Sequence, residues 1–392
     1  MITLDQRLSQ LQTRQRPQTV GQGGLGPLAM VRTAEEPGRV VVIDGDRHVT
    51  REQLLHAALS LGGTLSARGV RPGAAIAFQL PNWWEACVIN LTAALFGYRL
   101  VPLLTIYRSN ELEQILPACG VEVLFIFERF RKLDGAALVA GLRNPPRHVV
   151  FVRGEGGAGF EEMLAHAPGT PAPATPEDAK MVLFTSGSTG RAKGVIHSHA
   201  AFDALITRTA DFWQTGPDDV FFVPSPIGHI GGSIYAFEFP WMTGCTAVLA
   251  DHWDAASAVR RMETLGITFM AGATPFLRGL IAEAKQAGTS LPGLRRFICG
   301  GASVSPELVR QGLAQFPNAV VSRAYGSTEV PLACPGIRNR EEAHARADTD
   351  GEVLAELTVL APDGGPVADG ESGEIVLRAP QMFLGYLDPA DD

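Results

Sequence analysis

Short apolar runs alternate with longer segments of helical period along most of this chain. Val40–Ile43 and His48–Thr50 flank Asp44-Gly45-Asp46, which predicts a β-hairpin. Thr50 with Gln53 three residues on predicts a capping box opening a helix. Ala74–Gln79, Val121–Phe127, His148–Val152 and Met181–Phe184 read as buried strands, and Trp83–Leu95 as a mostly buried helix. The same alternation continues with helix Ala200–Trp213, strand Asp219–Val223, helix Ala255–Leu265, strand Thr268–Ala271, helix Pro275–Ala287 and strands Arg296–Cys299 and Ala319–Ser322. Strand–helix alternation of this kind predicts an α/β fold with a largely parallel sheet covered by helices. The end of the chain changes character. Leu354–Leu360 and Glu374–Leu377, joined by Pro362-Asp363-Gly364-Gly365, predict antiparallel strands of a small β-rich part.

Composition narrows the function classes. With 392 residues the chain is long enough for two or three packed subdomains. Its balance is mildly acidic, 33 basic against 41 acidic residues, with no basic tract, which argues against nucleic acid as a partner. Cys87, Cys119, Cys245, Cys299 and Cys334 are odd in number and set among apolar or small residues, as reduced core cysteines are. The N-terminus lacks a signal-peptide pattern, and no apolar run approaches the ~20 residues of a membrane span. These features predict a soluble cytoplasmic protein.

The chemistry concentrates in Thr185-Ser186-Gly187-Ser188-Thr189-Gly190-Arg191-Ala192-Lys193-Gly194. Glycines let backbone N–H groups approach oxyanions, hydroxyls donate further hydrogen bonds, and Lys193 supplies charge, so the segment predicts a polyphosphate loop. It is not a Walker loop, because Lys193 is followed by glycine where that motif needs Ser or Thr. A second constellation, Tyr325-Gly326-Ser327-Thr328-Glu329, combines an aromatic plane, hydroxyls and a carboxylate suited to a purine, phosphate and Mg²⁺. On its own it also reads as a strand-to-helix turn with Thr328 as N-cap. Gly300-Gly301-Ala302 offers side-chain-poor backbone for a flat ring. His229 stands in Pro224-Ser225-Pro226-Ile227-Gly228-His229-Ile230-Gly231-Gly232, where the two glycines predict an open pocket.

In this order the motifs resemble the adenylate-forming superfamily of acyl-CoA ligases, luciferases and peptide-synthetase adenylation domains. Gly373-Glu374-Ile375-Val376-Leu377-Arg378 and Gly385-Tyr386 extend the resemblance over roughly Val40 to Tyr386; one departure is Ala192, where the family usually has proline. The resemblance implies two helix-covered mixed sheets plus a small β-rich subdomain, divided near 30–176, 177–337 and 338–392. It implies an acid–thiol ligase that uses ATP and Mg²⁺ to make acyl-AMP and transfers the acyl group to coenzyme A, or in a variant to a carrier protein; the further alternative is a protein that binds an acyl-adenylate without turnover. By the same resemblance Thr185, Ser186, Gly187, Ser188, Thr189, Gly190 and Lys193 cradle phosphates, Thr328 binds phosphate and Glu329 holds Mg²⁺. Gly301, Ala302, Arg323, Ala324 and Tyr325 line the adenine, and His229 gates the acid. The acid itself would meet His229, Gly231, Gly232, Ser233, Ile234, Ala271, Gly272, Gly300, Gly301, Tyr325, Gly326, Leu332 and Ala333.

Amino-acid-activating members place Asp immediately after the position of His229; here it is Ile230. An ammonium buried without a partner is costly, so the substrate expected is a carboxylic acid without one. Ser233, Ile234, Ala271, Gly272, Ala273, Leu332 and Ala333 predict an apolar wall of small side chains, which fits a bulky, cyclic or polycyclic acid. The family's ribose-binding segment and the small C-terminal domain with its catalytic lysine are expected beyond Asp392. By the resemblance, the 392 residues are expected to correspond to the large N-terminal domain.

Overall fold

The computed structural model describes residues 3–11, 24–154, 159–186 and 192–392. From the N-terminus the strands are β1 (Val40–Asp44), β2 (Arg47–Thr50), β3 (Ala75–Gln79), β4 (Arg99–Pro102) and β5 (Val121–Phe127). A two-stranded ribbon, β6 (Arg129–Phe130) and β7 (Leu133–Asp134), precedes β8 (His148–Val152). Then come β9 (Ala179–Ser186), β10 (Ala192–Ser198), β11 (Val220–Val223), β12 (Thr246–Leu249) and β13 (Phe269–Gly272). The series ends with β14 (Arg296–Cys299), β15 (Val320–Arg323), β16 (Glu356–Leu360), β17 (Glu374–Arg378) and β18 (Gly385–Tyr386).

Two seven-stranded sheets result, ordered β15-β14-β13-β11-β12-β1-β2 and β18-β10-β9-β4-β3-β5-β8, with β16 and β17 paired separately. Their central strands are parallel and buried on both faces, which is why they read as unbroken apolar runs rather than alternating ones. Helix Trp84–Phe96 is buried on nearly every side, consistent with its apolar character all round. The Thr50–Gln53 capping box forms as its local pattern dictates, Thr50 Oγ1 accepting from the Gln53 N–H at 3.2 Å.

The sheets do not divide where the sequence expectation cut the chain. The β1–β2 hairpin joins the sheet built mainly from 220–323, while β9, β10 and β18 join the sheet built from 75–152. The reason is edge pairing: β1 lies parallel to β12, and β18 lies antiparallel to β10. The chain is therefore interleaved, with no clean boundary near residue 176.

Four loops of the first sheet leave the same edge. Strands β11, β13, β14 and β15 are mutually parallel, so Pro224–His229, Gly272–Ala273, Gly300–Ala302 and Ala324–Glu329 all emerge from carboxyl ends. In open α/β sheets ligands bind in that position, outside the carboxyl ends of the strands.

Candidate adenylate-forming site

The β9–β10 hairpin faces those loops from the other sheet. Its ladder runs to the first residues of the polyphosphate motif, pairing Lys193 with Thr185 and Ala192 with Ser186. Thr185 and Ser186 are thus strand residues rather than loop residues. Gly187, Ser188, Thr189 and Gly190, which carry the rest of the expected phosphate contact, lie outside the described residues.

Two side chains tie this hairpin to the second motif. His197, on β10, donates from Nε2 to the Thr328 carbonyl at 2.7 Å. The ring is wholly enclosed, and burial pushes its pKa down to about 4 against the opposing pull of that bond, so it stays neutral. The Tyr386 hydroxyl, on β18, donates to Glu329 Oε1 at 2.8 Å. Lys193 Nζ lies 3.6 Å from Asp391 Oδ1 and 5.2 Å from the centre of the Tyr386 ring.

The second motif is not a helix start. Tyr325 and Cys334 exchange both backbone hydrogen bonds at 2.9 Å, and Ser327 closes the intervening turn through its N–H to Val330 O and its Oγ to Val330 N–H. The alternative of Thr328 as a helix N-cap is therefore excluded. Tyr325 packs its ring on Val330, Ala333 and Ala379.

His229 caps helix Ile230–Phe237, its Nδ1 accepting from the Gly231 N–H at 3.1 Å. Accepting at Nδ1 leaves the neutral ring protonated at Nε2, and burial holds its pKa below the usual value. The loop before it is pinned by Asn82, which donates from Nδ2 to Val223 O and Ser225 O and accepts the Ile227 N–H at Oδ1, all within 3.0 Å.

These pieces converge on one cavity of about 430 Å³. Thr185, Ala192, Gly194, His229 and Thr328 line it, with an apolar wall of Leu104, Ile106, Tyr107, Ile115 and Phe184 interrupted by Glu111 and Gln114. Asp388 and Asp391 close the rim. Gln79 braces the apolar wall by donating to the carbonyls of Leu104 and Tyr107.

A model of the AMP-binding enzyme family matches residues 31–387. The chain belongs to the AMP-binding enzyme family. Over 369 residues it is 30% identical to the medium-chain fatty-acid–CoA ligase of Escherichia coli (strain K12), aligning 90% of this chain with 64% of that protein. Over 375 residues it is 30% identical to the 3-[(3aS,4S,7aS)-7a-methyl-1,5-dioxo-octahydro-1H-inden-4-yl]propanoyl:CoA ligase of Mycobacterium tuberculosis (strain ATCC 25618 / H37Rv), aligning 93% of this chain with 72% of that one. This chain thus spans roughly two thirds of the length of these relatives. Among solved structures, the anthranilate CoA ligase AuaEII in complex with anthranoyl-AMP superposes with a TM-score of 0.83 at 21% identity, covering 96% of this chain and 73% of that one. At that identity the likeness is one of fold, and it includes both helix-covered mixed sheets.

The structure distributes the other expected contacts of this AMP-binding enzyme unevenly. Gly300 and Gly301 follow β14 beside the backbone of Ala324, and Gly301 takes φ +78° with open space where a side chain would stand. That is a free, flat surface next to Ala302, which is exposed. Arg323 is already engaged, pairing with Asp350 at 2.9 Å and donating to Asp348 O, so it holds the following loop rather than presenting an unpaired guanidinium.

Most residues expected around the acid lie apart from this cavity. A Cβ on Gly232 would meet the carbonyl oxygens of Ser225 and Pro226 at 2.4 Å, so this glycine permits close backbone packing and opens no space. Ser233, Ile234 and Ala333 are buried in the interior and do not line the cavity, nor do Gly231, Ala271, Gly272, Gly326 or Leu332. Phe276 fills the space beside Gly272. The wall the cavity does have comes from 104–118, with larger side chains than expected.

No group of three or more His, Cys, Asp and Glu side chains capable of holding a metal occurs among the described residues. The one carboxylate of Glu329 suits an Mg²⁺ that arrives on substrate phosphates, since that ion keeps several waters and takes one or two carboxylates from protein. All five cysteines are free and buried. No helix of the described residues is long and apolar enough to cross a membrane.

Proposed function

We propose that this chain carries the adenylation site of an ATP-dependent acid–CoA ligase, activating a bulky, ring-bearing carboxylic acid as its acyl-AMP. The observation that carries this reading is the convergence of Thr185, His229 and Thr328 on one 430 Å³ cavity, with Lys193 and Glu329 joined behind it through Tyr386. In the reaction, a carboxylate oxygen attacks the α-phosphorus of ATP. The new acyl–O–P bond forms as the α–β bridging bond breaks, and pyrophosphate leaves with that electron pair. Oxyanion displaces oxyanion, so the protein's work is positioning and charge neutralisation.

Lys193 and the hairpin around it neutralise and hold the β- and γ-phosphates, with Thr328 donating to phosphate. Glu329 would hold the Mg²⁺ that accompanies ATP, and that ion would supply charge neutralisation for the pyrophosphate. Gly300, Gly301, Ala302, Ala324 and Tyr325 form the surface for the adenine. His229, neutral and protonated at Nε2, donates to the acid carboxylate and aligns it without losing a proton.

Two features support a bulky, uncharged acyl group. Leu104, Ile106, Tyr107, Ile115 and Phe184 give the cavity an apolar lining, and the buried Ile230 stands where amino-acid-activating members carry an aspartate. The M. tuberculosis relative named above acts on a bicyclic propanoate. Calorimetry with acyl-sulfamoyl adenosines tests the reading. Benzoyl or cyclohexanecarbonyl compounds should bind at least tenfold more tightly than AMP, because the second half docks without a new association cost. Binding no tighter than AMP overturns it.

A further inference from the structure

We propose that Tyr386 is a positioning residue that couples the two phosphate-facing motifs, its hydroxyl aiming the Glu329 carboxylate and its ring face carrying the Lys193 ammonium. The inference rests on the adenylation reading above. Lys193 lies on β10 of one sheet and Glu329 in the loop after β15 of the other, and each has one described contact to the same tyrosine: 5.2 Å from its ring centre and 2.8 Å from its hydroxyl.

The tyrosine is itself held from several sides. Its strand pairs with β10 at Val195, and the flanking Leu384 and Leu387 N–H groups each donate to β10 carbonyls at 2.7 Å. Its carbonyl accepts from Nε of the buried Arg7 at 2.7 Å, and its ring packs edge-on to Phe383 at 4.9 Å. Phe383 N–H in turn donates to the Glu329 carbonyl at 2.8 Å, so the backbone of the second motif is fixed by the same segment. The phenol is thus anchored through its backbone on β10 and Arg7 and through its ring on Phe383.

The chemistry follows from which atoms are used. A hydrogen bond to Oε1 sets the plane of the carboxylate and the direction in which Oε2 points. That is the job of an outer partner of a cation ligand, and losing such a partner typically weakens metal affinity about 10–100-fold. An ammonium over an aromatic face is attracted without being neutralised, so Lys193 keeps its charge for phosphate. The carboxylate of Asp391, by contrast, competes with phosphate for the same ammonium.

The test reads binding, using the whole chain with α,β-methylene-ATP in Mg²⁺, the same analogue in EDTA, and AMP. The wild-type protein should bind the analogue more tightly with Mg²⁺. Tyr386→Phe keeps the ring and should lose about tenfold of that metal-dependent increment while AMP binding stays within twofold. Tyr386→Leu should in addition weaken the analogue in EDTA, because the Lys193 platform is gone. A double-mutant cycle guards against a general loss of folding: in a Glu329→Gln background, Tyr386→Phe should cost no further metal-dependent affinity. An unchanged increment in Tyr386→Phe, equal losses for AMP, or a full further cost in the Glu329→Gln background overturns the role of Tyr386. A wild-type protein that gains nothing from Mg²⁺ overturns the adenylation reading and this inference with it.

Discussion

His197 reaches across from the strand that carries Lys193 to hold the main-chain carbonyl of Thr328, 2.7 Å away. The bond is buried. His197→Leu would leave that carbonyl unpaired beside an apolar group, a desolvation cost of about 1–3 kcal/mol. The expected outcome is a lower urea midpoint together with weaker AMP binding, as the second motif loses its register to the first. His197→Gln, which retains a donor, should recover part of both. Equal behaviour of the two variants would show that ring packing on Phe202, and not the hydrogen bond, is what matters.

The same histidine makes stability depend on acid. Burial lowers His197 to about 4, and burial with Lys180 nearby lowers His199 to about 3, against an ordinary 6.5. Below pH 6.5 the unfolded chain takes up protons that the folded one refuses, so each histidine removes stability at about 1.4 kcal/mol per pH unit until its folded value is reached. Asp203 opposes this, because burial raises its carboxyl to about 6 and the folded state then binds the proton first. Glu85 and Glu238, both raised by burial, oppose it likewise, while His148 and His229, both lowered by burial, add to it, so four histidines against three carboxyls leave a net loss as pH falls from 6.5 to 4. Urea midpoints at pH 7 and pH 5 check the sign, and His199→Gln should shrink the difference. A midpoint that rises on acidification would contradict these assignments.

Sequence alone exposed the parts of the site whose logic is local. The hydroxyl- and glycine-rich stretch from Thr185, the Tyr325–Glu329 segment and the Thr50–Gln53 capping box each declare themselves within ten residues. Parallel strand order then explains why His229, Gly300 and Thr328 share an edge. Asn82, His197 and Tyr386 were illegible for the opposite reason: their partners lie at sequence separations of 145, 131 and 57, and for the first two the partners are backbone groups that leave no trace in residue type. Gly232 misled because a glycine needed for close backbone packing and a glycine lining an empty pocket read alike in sequence. The apolar wall from Leu104 to Ile115 was passed over because it carries no polar motif.

Asn82 is expected to control His229 from a distance. It satisfies two carbonyls and one N–H of the segment from Val223 to Ile227, whose end sets where the His229 ring points. Asn82→Asp keeps the acceptor for Ile227 but turns the Nδ2 donor toward two carbonyls into a repelling oxygen. Affinity for an acyl-sulfamoyl adenosine should fall about tenfold, while AMP, which makes no use of His229, should bind nearly as before. Matching losses for both ligands would mean that the loop supports the fold and not the acid subsite.

Beneath the hairpin, Lys180 and Glu238 form an ion pair at 2.9 Å with both side chains almost wholly buried, and Asn90 hydrogen-bonds to each. Burial favours a neutral Glu238 and raises its pKa, while Lys180 pulls it back down. Lys180 is on β9, upstream of Thr185, and Glu238 follows the helix that His229 caps, so the pair ties the hairpin to the segment that carries His229. Taking out one partner leaves a buried charge uncompensated, and Lys180→Met should therefore destabilise by about 3–5 kcal/mol. Replacing both, as Lys180→Met with Glu238→Leu, removes the desolvation cost as well as the attraction and should restore most of the lost stability. The decisive comparison is then ligand binding in the restored double variant. If the pair serves only folding, the double variant binds AMP and acyl-sulfamoyl adenosine as the parent does. If it also sets the spacing between the hairpin and His229, stability returns and affinity for the bisubstrate mimic does not.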